Sequence, residues 1–96
     1  MATSKEYKEF VLEQLSILDN INCKPMMGEY LLYINGVLFG GIYDNRLLVK
    51  IVNSNKSYNL KEAIPYPNAK PMYLVDTDDL ELLKKIILDT YNDLNN

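Results

Sequence analysis

Apolar residues recur at Tyr7, Val11, Leu15 and Leu18, spaced i, i+4, i+8 and i+11, with Phe10 and Leu12 widening the stripe. That period predicts an amphipathic helix over Ser4–Asp19 whose apolar side packs on a core. Thr3, with Glu6 three residues on, has the form of a capping box, in which each side chain satisfies an orphan backbone donor. Asn20 and Asn22 suit the helix exit, because Asn tolerates left-handed backbone. A second stripe, Leu80, Leu83, Ile87, Tyr91 and Leu94, flanked by Leu82 and Ile86, predicts a helix over Asp78–Leu94. Thr77 or Asp76 is its natural N-cap.

Between the helices the period changes to two. Tyr30–Val52 reads as three short strands joined by two tight turns. Asn35-Gly36 is a strong hairpin signal, since both central residues of a type I′ turn need positive φ. It pairs Ile34 with Val37, Leu32 with Phe39 and Leu31 with Gly40. If Asp44-Asn45 makes a second two-residue turn, Tyr43 pairs with Arg46 and Ile42 with Leu47. A strand over Lys24–Met27 precedes these, placed at a sheet edge by Pro25, and Gly28 permits the bend into the next strand. Tyr58–Ile64 reads as a short helix, and Pro65, Pro67 and Pro71 keep the following chain extended. Met72–Val75, entered through Pro71, reads as a last strand, again at an edge. With no internal repeat or linker, residues 1–96 form one domain. The expected class is α+β in two layers: an antiparallel sheet of four to five strands with the N-terminal and C-terminal helices on one face.

Strict alternation divides the strands into two faces. Leu31, Tyr33, Leu38, Gly40, Ile42, Leu47, Val49 and Ile51 share one, which carries no charge and is expected to lie beneath the helices. Tyr30, Leu32, Ile34, Val37, Phe39, Gly41, Tyr43, Arg46, Leu48 and Lys50 share the other. A solvated antiparallel face is normally polar, yet this one has only Arg46 and Lys50 as charges. An apolar surface of that extent is expected to meet a partner, with a second copy of the chain preferred; the alternative is that segment 58–70 folds over it. On this reading Tyr30, Leu32, Phe39, Leu48 and Lys50 form the protein-interaction face, with Lys50 either solvated or binding a partner's carboxylate.

Net charge is −3. From Asp76 onward six acids oppose two lysines, leaving the remainder at +1. No basic stripe suited to nucleic acid is present. The longest apolar runs fall well short of the ~20 residues that span a bilayer, and Lys5, Glu6, Lys8 and Glu9 break any leader-like core. Cys23 is alone, so no internal disulfide forms and a cytoplasmic setting is expected. Richness in Asn, Lys, Ile and Tyr suits an AT-rich bacterial genome.

Candidate chemistry is sparse. Absence of histidine removes Ser-His and Cys-His pairs, His-ligated zinc and His general bases together. Asp76, Asp78, Asp79 and Glu81 suggest a cation cluster, but no calcium loop surrounds them and acids in a first helical turn complement the helix dipole. Gly36, Gly40 and Gly41 lack phosphate-loop spacing; Gly40 and Gly41 mark a bulge or a close approach of a neighbouring layer. Asn55-Lys56-Ser57 matches a glycosylation sequon by chance. Cys23 reads as a passive thiol and the tyrosines as packing residues. No cofactor, metal or catalytic residue is expected.

Tyr33-Ile-Asn-Gly-Val-Leu-Phe39, followed by Asp44-Asn-Arg-Leu-Leu-Val-Lys50, resembles the N-terminal domain of the TfoX/Sxy competence-regulator family. Pro25-Met26-Met27-Gly28 sits at that family's Met-Phe-Gly-Gly element, Pro65-Tyr66 at its Pro/aromatic loop, and Met72–Val75 with Asp78-Asp79 at its final strand and acidic cap. Met27 replaces the usual aromatic and Glu29 the second glycine. The resemblance implies a stand-alone copy of the domain, with a secretion-chaperone-like fold. It also implies a regulatory role exerted through other proteins, notably a cyclic-AMP-responsive transcription activator, and it brings no catalytic residues. The expected function is therefore a non-enzymatic interaction module, homodimeric and binding a protein partner, without contact to nucleic acid or membrane. The alternatives are a small acidic chaperone-like adaptor for a client segment and, last, a small enzyme.

Overall fold

A computed structural model describes residues 2–96. The chain runs α1 (Lys5–Leu15), β1 (Ile21–Met26), β2 (Glu29–Ile34), β3 (Val37–Ile42), β4 (Leu47–Val49), a 3-10 turn (Asn53–Tyr58), β5 (Lys61–Ala63), β6 (Met72–Leu74) and α2 (Leu80–Leu94). The strands make one sheet in the order β1-β2-β3-β4-β6-β5, with every neighbouring pair antiparallel. Val11, Leu15 and Leu18 from the α1 region and Leu83, Ile86 and Ile87 of α2 pack into one core with Leu32, Phe39, Ile42, Leu47 and Val49 of the sheet. Both helices thus cover the same face, as the α+β reading expects.

Three turns set the meander. Met27-Gly28, Asn35-Gly36 and Asp44-Asn45 each have positive φ at both positions, the pattern whose twist matches that of a hairpin. Tyr43 and Arg46 exchange backbone hydrogen bonds across the third turn, as expected. The sheet has six strands where four to five were expected. The addition is β5, in a segment expected to be helical. After the 3-10 turn the backbone reverses through Asn59 at φ 57°, and Lys61–Ala63 pairs with the open side of β6. The edges are therefore β1, where Pro25 needs no ladder donor, and β5; β6 is interior and escapes a proline penalty because Pro71 stands just outside it.

The caps also differ from expectation. Ser4 rather than Thr3 caps α1, its hydroxyl accepting from the Tyr7 amide at 3.1 Å. Asp79 caps α2, accepting from the amides of Glu81 and Leu82, while the Thr77 hydroxyl accepts from the Asp79 amide. The acidic cluster is thus a helix start, where carboxylates satisfy orphan donors and offset the dipole.

The main correction concerns the faces. Leu32 opposes Gly40, but Tyr33 opposes Leu38, so one step along β2 matches two along β3 and Phe39 is the extra residue of a bulge. Alternation is re-phased there. Tyr30, Leu32, Ile34 and Phe39, assigned by strict alternation to the outer face, lie on the helix side; Leu32, Ile34 and Phe39 are fully buried and Tyr30 packs partly against the core. Leu31, Tyr33 and Leu38 point away from the helices instead. Beyond the bulge the assignment of Ile42, Leu47 and Val49 to the core is correct. Leu48, opposite Gly41 and Leu74, is on the outer side by register yet wholly buried.

Asn55 is fully buried, and its amide ties the 3-10 turn to its surroundings. The side-chain nitrogen donates to the Lys50 carbonyl at 2.8 Å and to Thr90 Oγ1 at 2.9 Å, and the oxygen accepts from the Val52 amide. The sequon asparagine is thus a structural residue with no room for a glycan. Beside it the Tyr58 hydroxyl donates to the Asp89 carboxylate at 2.5 Å, which, with burial second, raises the phenol above its ordinary value.

The chain start is fastened to two turns. The Thr3 hydroxyl donates to Glu29 Oε1 at 2.6 Å and accepts from the Asn45 amide, and the Asp44 amide lies 3.1 Å from each Glu29 oxygen. The Thr3 amide donates to the Gly28 carbonyl and the Ser4 amide to Asn45 Oδ1. Glu29→Ala removes an anionic acceptor from this clasp and is expected to cost about 1–3 kcal/mol. Urea unfolding reads the loss, and amide exchange at Thr3 and Ser4 is expected to accelerate. Unchanged exchange there would refute the clasp.

Candidate functional site

With Leu31, Tyr33 and Leu38 turned outward, the sheet face opposite the helices forms the floor of a trough. Met26 closes it on the β1 side, and Lys50 and Ile51 rise from the end of β4. The other wall is the connection between β5 and β6, residues 64–71, which folds back as a strap. Pro65, Pro67 and Pro71 stiffen it by fixing φ. Arg46 anchors it: Nη2 donates to the Ile64 carbonyl and Nε to the Tyr43 carbonyl, each at 3.1 Å. The Tyr66 ring lies tilted against Tyr43 with centroids 6.0 Å apart. The trough holds about 740 Å³ and is lined on the strap side by Pro65, Tyr66, Ala69, Lys70, Pro71 and Met72. A second basin of about 560 Å³, sharing Met26, Tyr43 and Tyr66, continues to Met27 and Glu29.

The expectation that segment 58–70 folds over an apolar sheet face is met in its later half. The strap walls the site and leaves it open along one side. Of the residues expected to form the interaction face, only Lys50 lines the trough. Tyr30 faces the helices, where the Lys8 ammonium sits 5.3 Å from its ring centre. Leu32, Phe39 and Leu48 are inaccessible. Residues that alternation placed in the core, Leu31 and Leu38, line the trough instead, as do Met26, Tyr66 and Met72, which belong to the elements that carry the family resemblance but were not expected at a contact surface. The signal that a bulge would exchange the faces was the Gly40-Gly41 pair.

Chemically the trough offers apolar contact, two phenols and two ammonium groups. No carboxylate lines its main basin. Tyr43 is raised above its ordinary value by burial first, then by Tyr66, Glu29 and Tyr33, so it remains a neutral hydrogen-bonding group. Cys23 lies opposite Leu32, on the helix side, and burial pushes its thiol up, away from the reactive thiolate. Among the described residues no group of three or more His, Cys, Asp or Glu is placed to hold a metal ion, and no helix is long and apolar enough to cross a membrane.

The sequence profile of the TfoX N-terminal domain matches residues 13–85, from within α1 to within α2. The chain belongs to the TfoX N-terminal domain family. It is similar to an uncharacterized 12.7 kDa protein from the trpE 5′ region of Spirochaeta aurantia, 33% identical over 78 residues that cover 79% of this chain and 68% of that protein. Within the TfoX N-terminal pattern the altered element Met26-Met27-Gly28-Glu29 is the β1–β2 turn with its flanks. Met27 takes positive φ and is 98% exposed, so the aromatic position here is a solvent-facing apolar tip beside the second basin. Glu29 begins β2, where its carboxylate holds Thr3 and the Asp44 amide; no glycine geometry is needed there.

Proposed function

We propose that this TfoX N-terminal domain is a non-enzymatic protein-interaction module of the cytoplasm that regulates competence or transcription through a protein partner, and that the outer trough is its contact surface. One observation carries this reading: an apolar trough, walled by a proline-stiffened strap and continuous with a second basin, on the sheet face left free by the helices. The non-enzymatic reading is supported by the lack of histidine and by a lone thiol held away from its reactive form. Three methionines along the two basins, Met26, Met27 and Met72, favour a surface that adapts to an incoming chain. That also supports the adaptor reading, in which the occupant is a client segment.

Leu32, Phe39 and Leu48, expected on a face that meets a second copy, are buried and take no part in such a contact. A two-fold pairing whose axis passed near Lys50 and Lys70 would bring like charges together, so a second copy is the less favoured occupant of this reading. The test is affinity purification from the host cell with wild-type protein and Leu38→Glu, followed by reconstitution from purified components. A partner retained by wild-type and weakened about tenfold or more by Leu38→Glu, with the melting temperature of the domain little changed, is expected. A partner bound equally by both proteins would place the contact elsewhere.

A further inference from the structure

The cross-strand register carries a charge pattern that bears on the partner. Paired residues share a face, so Lys24, Leu31, Gly41, Leu48, Leu74 and Lys61 form one row across the outer side of the sheet, with a lysine at either end. Lys50 and Lys70 stand within the trough on the same side. The Lys24 ammonium lies 5.1 Å from the Tyr33 ring centre, over an aromatic surface rather than a carboxylate. Among the outward strand positions the acid is Glu29, which is already engaged by Thr3 and the Asp44 amide. The acids of this chain are concentrated instead on the helix side and its caps: Glu6, Glu9 and Glu13 on α1, then Asp78, Asp79, Glu81, Asp89 and Asp93 at and along α2. A protein of net charge −3 thus presents lysines around its main basin, with Glu29 the acid on that side, while most of its carboxylates lie on the helix layer together with Lys5, Lys8, Lys84 and Lys85.

Resting on the interaction reading above, we infer that the trough binds an acidic, apolar peptide segment of a different protein. Large apolar side chains of the segment fill the space over Leu31, Leu38 and Met72, and its carboxylates meet Lys50 and Lys70, with Lys24 and Lys61 at the rims steering its approach. Placement of charge at the edge of an apolar floor gives orientation and on-rate, while the floor supplies the affinity. A nucleic acid would meet few lysines and a net negative protein. A bilayer surface is flat and cannot enter a trough walled by the strap. A second copy would have to offer the acids of its helix layer, a different patch from the trough, so the contact would be head-to-tail rather than two-fold symmetric.

Panning a random 12-residue phage-displayed peptide library on the intact protein tests this. Recovered peptides are expected to be enriched in Asp or Glu beside Leu, Phe or Met. Their synthetic forms are expected to bind about tenfold or more weakly to Lys50→Glu/Lys70→Glu, and to bind better at low salt. Peptides that lose binding to Leu38→Glu but show no acidic bias and ignore the lysine reversals would overturn the acidic assignment while leaving the contact surface intact. Peptides indifferent to Leu38→Glu as well would overturn both. Association of the protein with itself in sedimentation, or with vesicles of anionic phospholipid, abolished by the lysine reversals would assign the trough to another occupant and refute the inference. Melting curves of each variant within a few degrees of wild-type ensure that the readout is binding rather than folding.

Discussion

Phe39→Ala is expected to lower the unfolding free energy by about 3–5 kcal/mol, because it empties the centre of the core. Phe39 is fully buried among residues of both helices and the sheet. A chain of this size has about 5–14 kcal/mol in total, so the loss removes a large share and leaves some population unfolded at ambient temperature. Leu38→Ala, one residue earlier, is expected to cost only roughly 1 kcal/mol, since Leu38 is half-buried at the trough. Urea unfolding of the two variants therefore reads the bulge directly. Equal losses, or a larger loss at Leu38, would mean that strict alternation holds through β3 and that the faces are assigned the wrong way round.

Gly40→Ala has the second large effect. A Cβ at Gly40 would lie 2.2 Å from the Leu48 carbonyl oxygen and 2.9 Å from the Val49 Cα. These are backbone atoms of β4, which cannot swing aside as a side-chain tip can, so β3 and β4 must separate. A loss of about 3 kcal/mol or more is expected, at the upper end of overpacking costs. Gly36→Ala provides the comparison. Gly36 has φ 79° but nothing within 4 Å of an added Cβ, so only the left-handed backbone is strained, at about 1–2 kcal/mol. Thermal melts that rank Gly36→Ala below Gly40→Ala in stability would show that turn strain, not interstrand approach, governs this region.

Much of the fold was legible from the chain. The stripes containing Val11 and Leu15, and Leu83 and Ile87, buried the residues they named, because a period of 3.6 puts them on one helix side whatever the packing partner. Asn35-Gly36 and Asp44-Asn45 turned where expected, because positive φ is a local property of those residues. The cap positions slipped by one to three residues among neighbouring Thr, Ser and Asp, any of which can accept an amide hydrogen bond. β5 was missed because Lys61–Ala63 has no strand-like composition; it is a strand only because β6 offers it a partner.

The trough was the least legible part. Gly40-Gly41 signals a bulge, but strict alternation admits no inserted residue, and one extra residue exchanges inside for outside along half of the meander. Lys50, expected within a strand on the outer face, lies just past β4 and lines the trough. The strap residues were not expected there, because Pro65–Pro71 carries no periodicity that would place it over a particular face.

The amino-acid sequence by itself determined the two helices, the meander with its tight turns, the lack of histidine chemistry and the family. These follow from local backbone preference, short-range periodicity and composition, none of which needs a distant contact. Tertiary structure decided which side of the sheet the helices cover, the burial of Leu32 and Phe39, the placement of the strap and the gathering of Lys24, Lys50, Lys61 and Lys70 on one face. Each of these depends on strand register or on residues far apart in the chain, and a single inserted residue in β3 sets the phase that buries Leu32 and Phe39 and turns Leu31 and Leu38 outward.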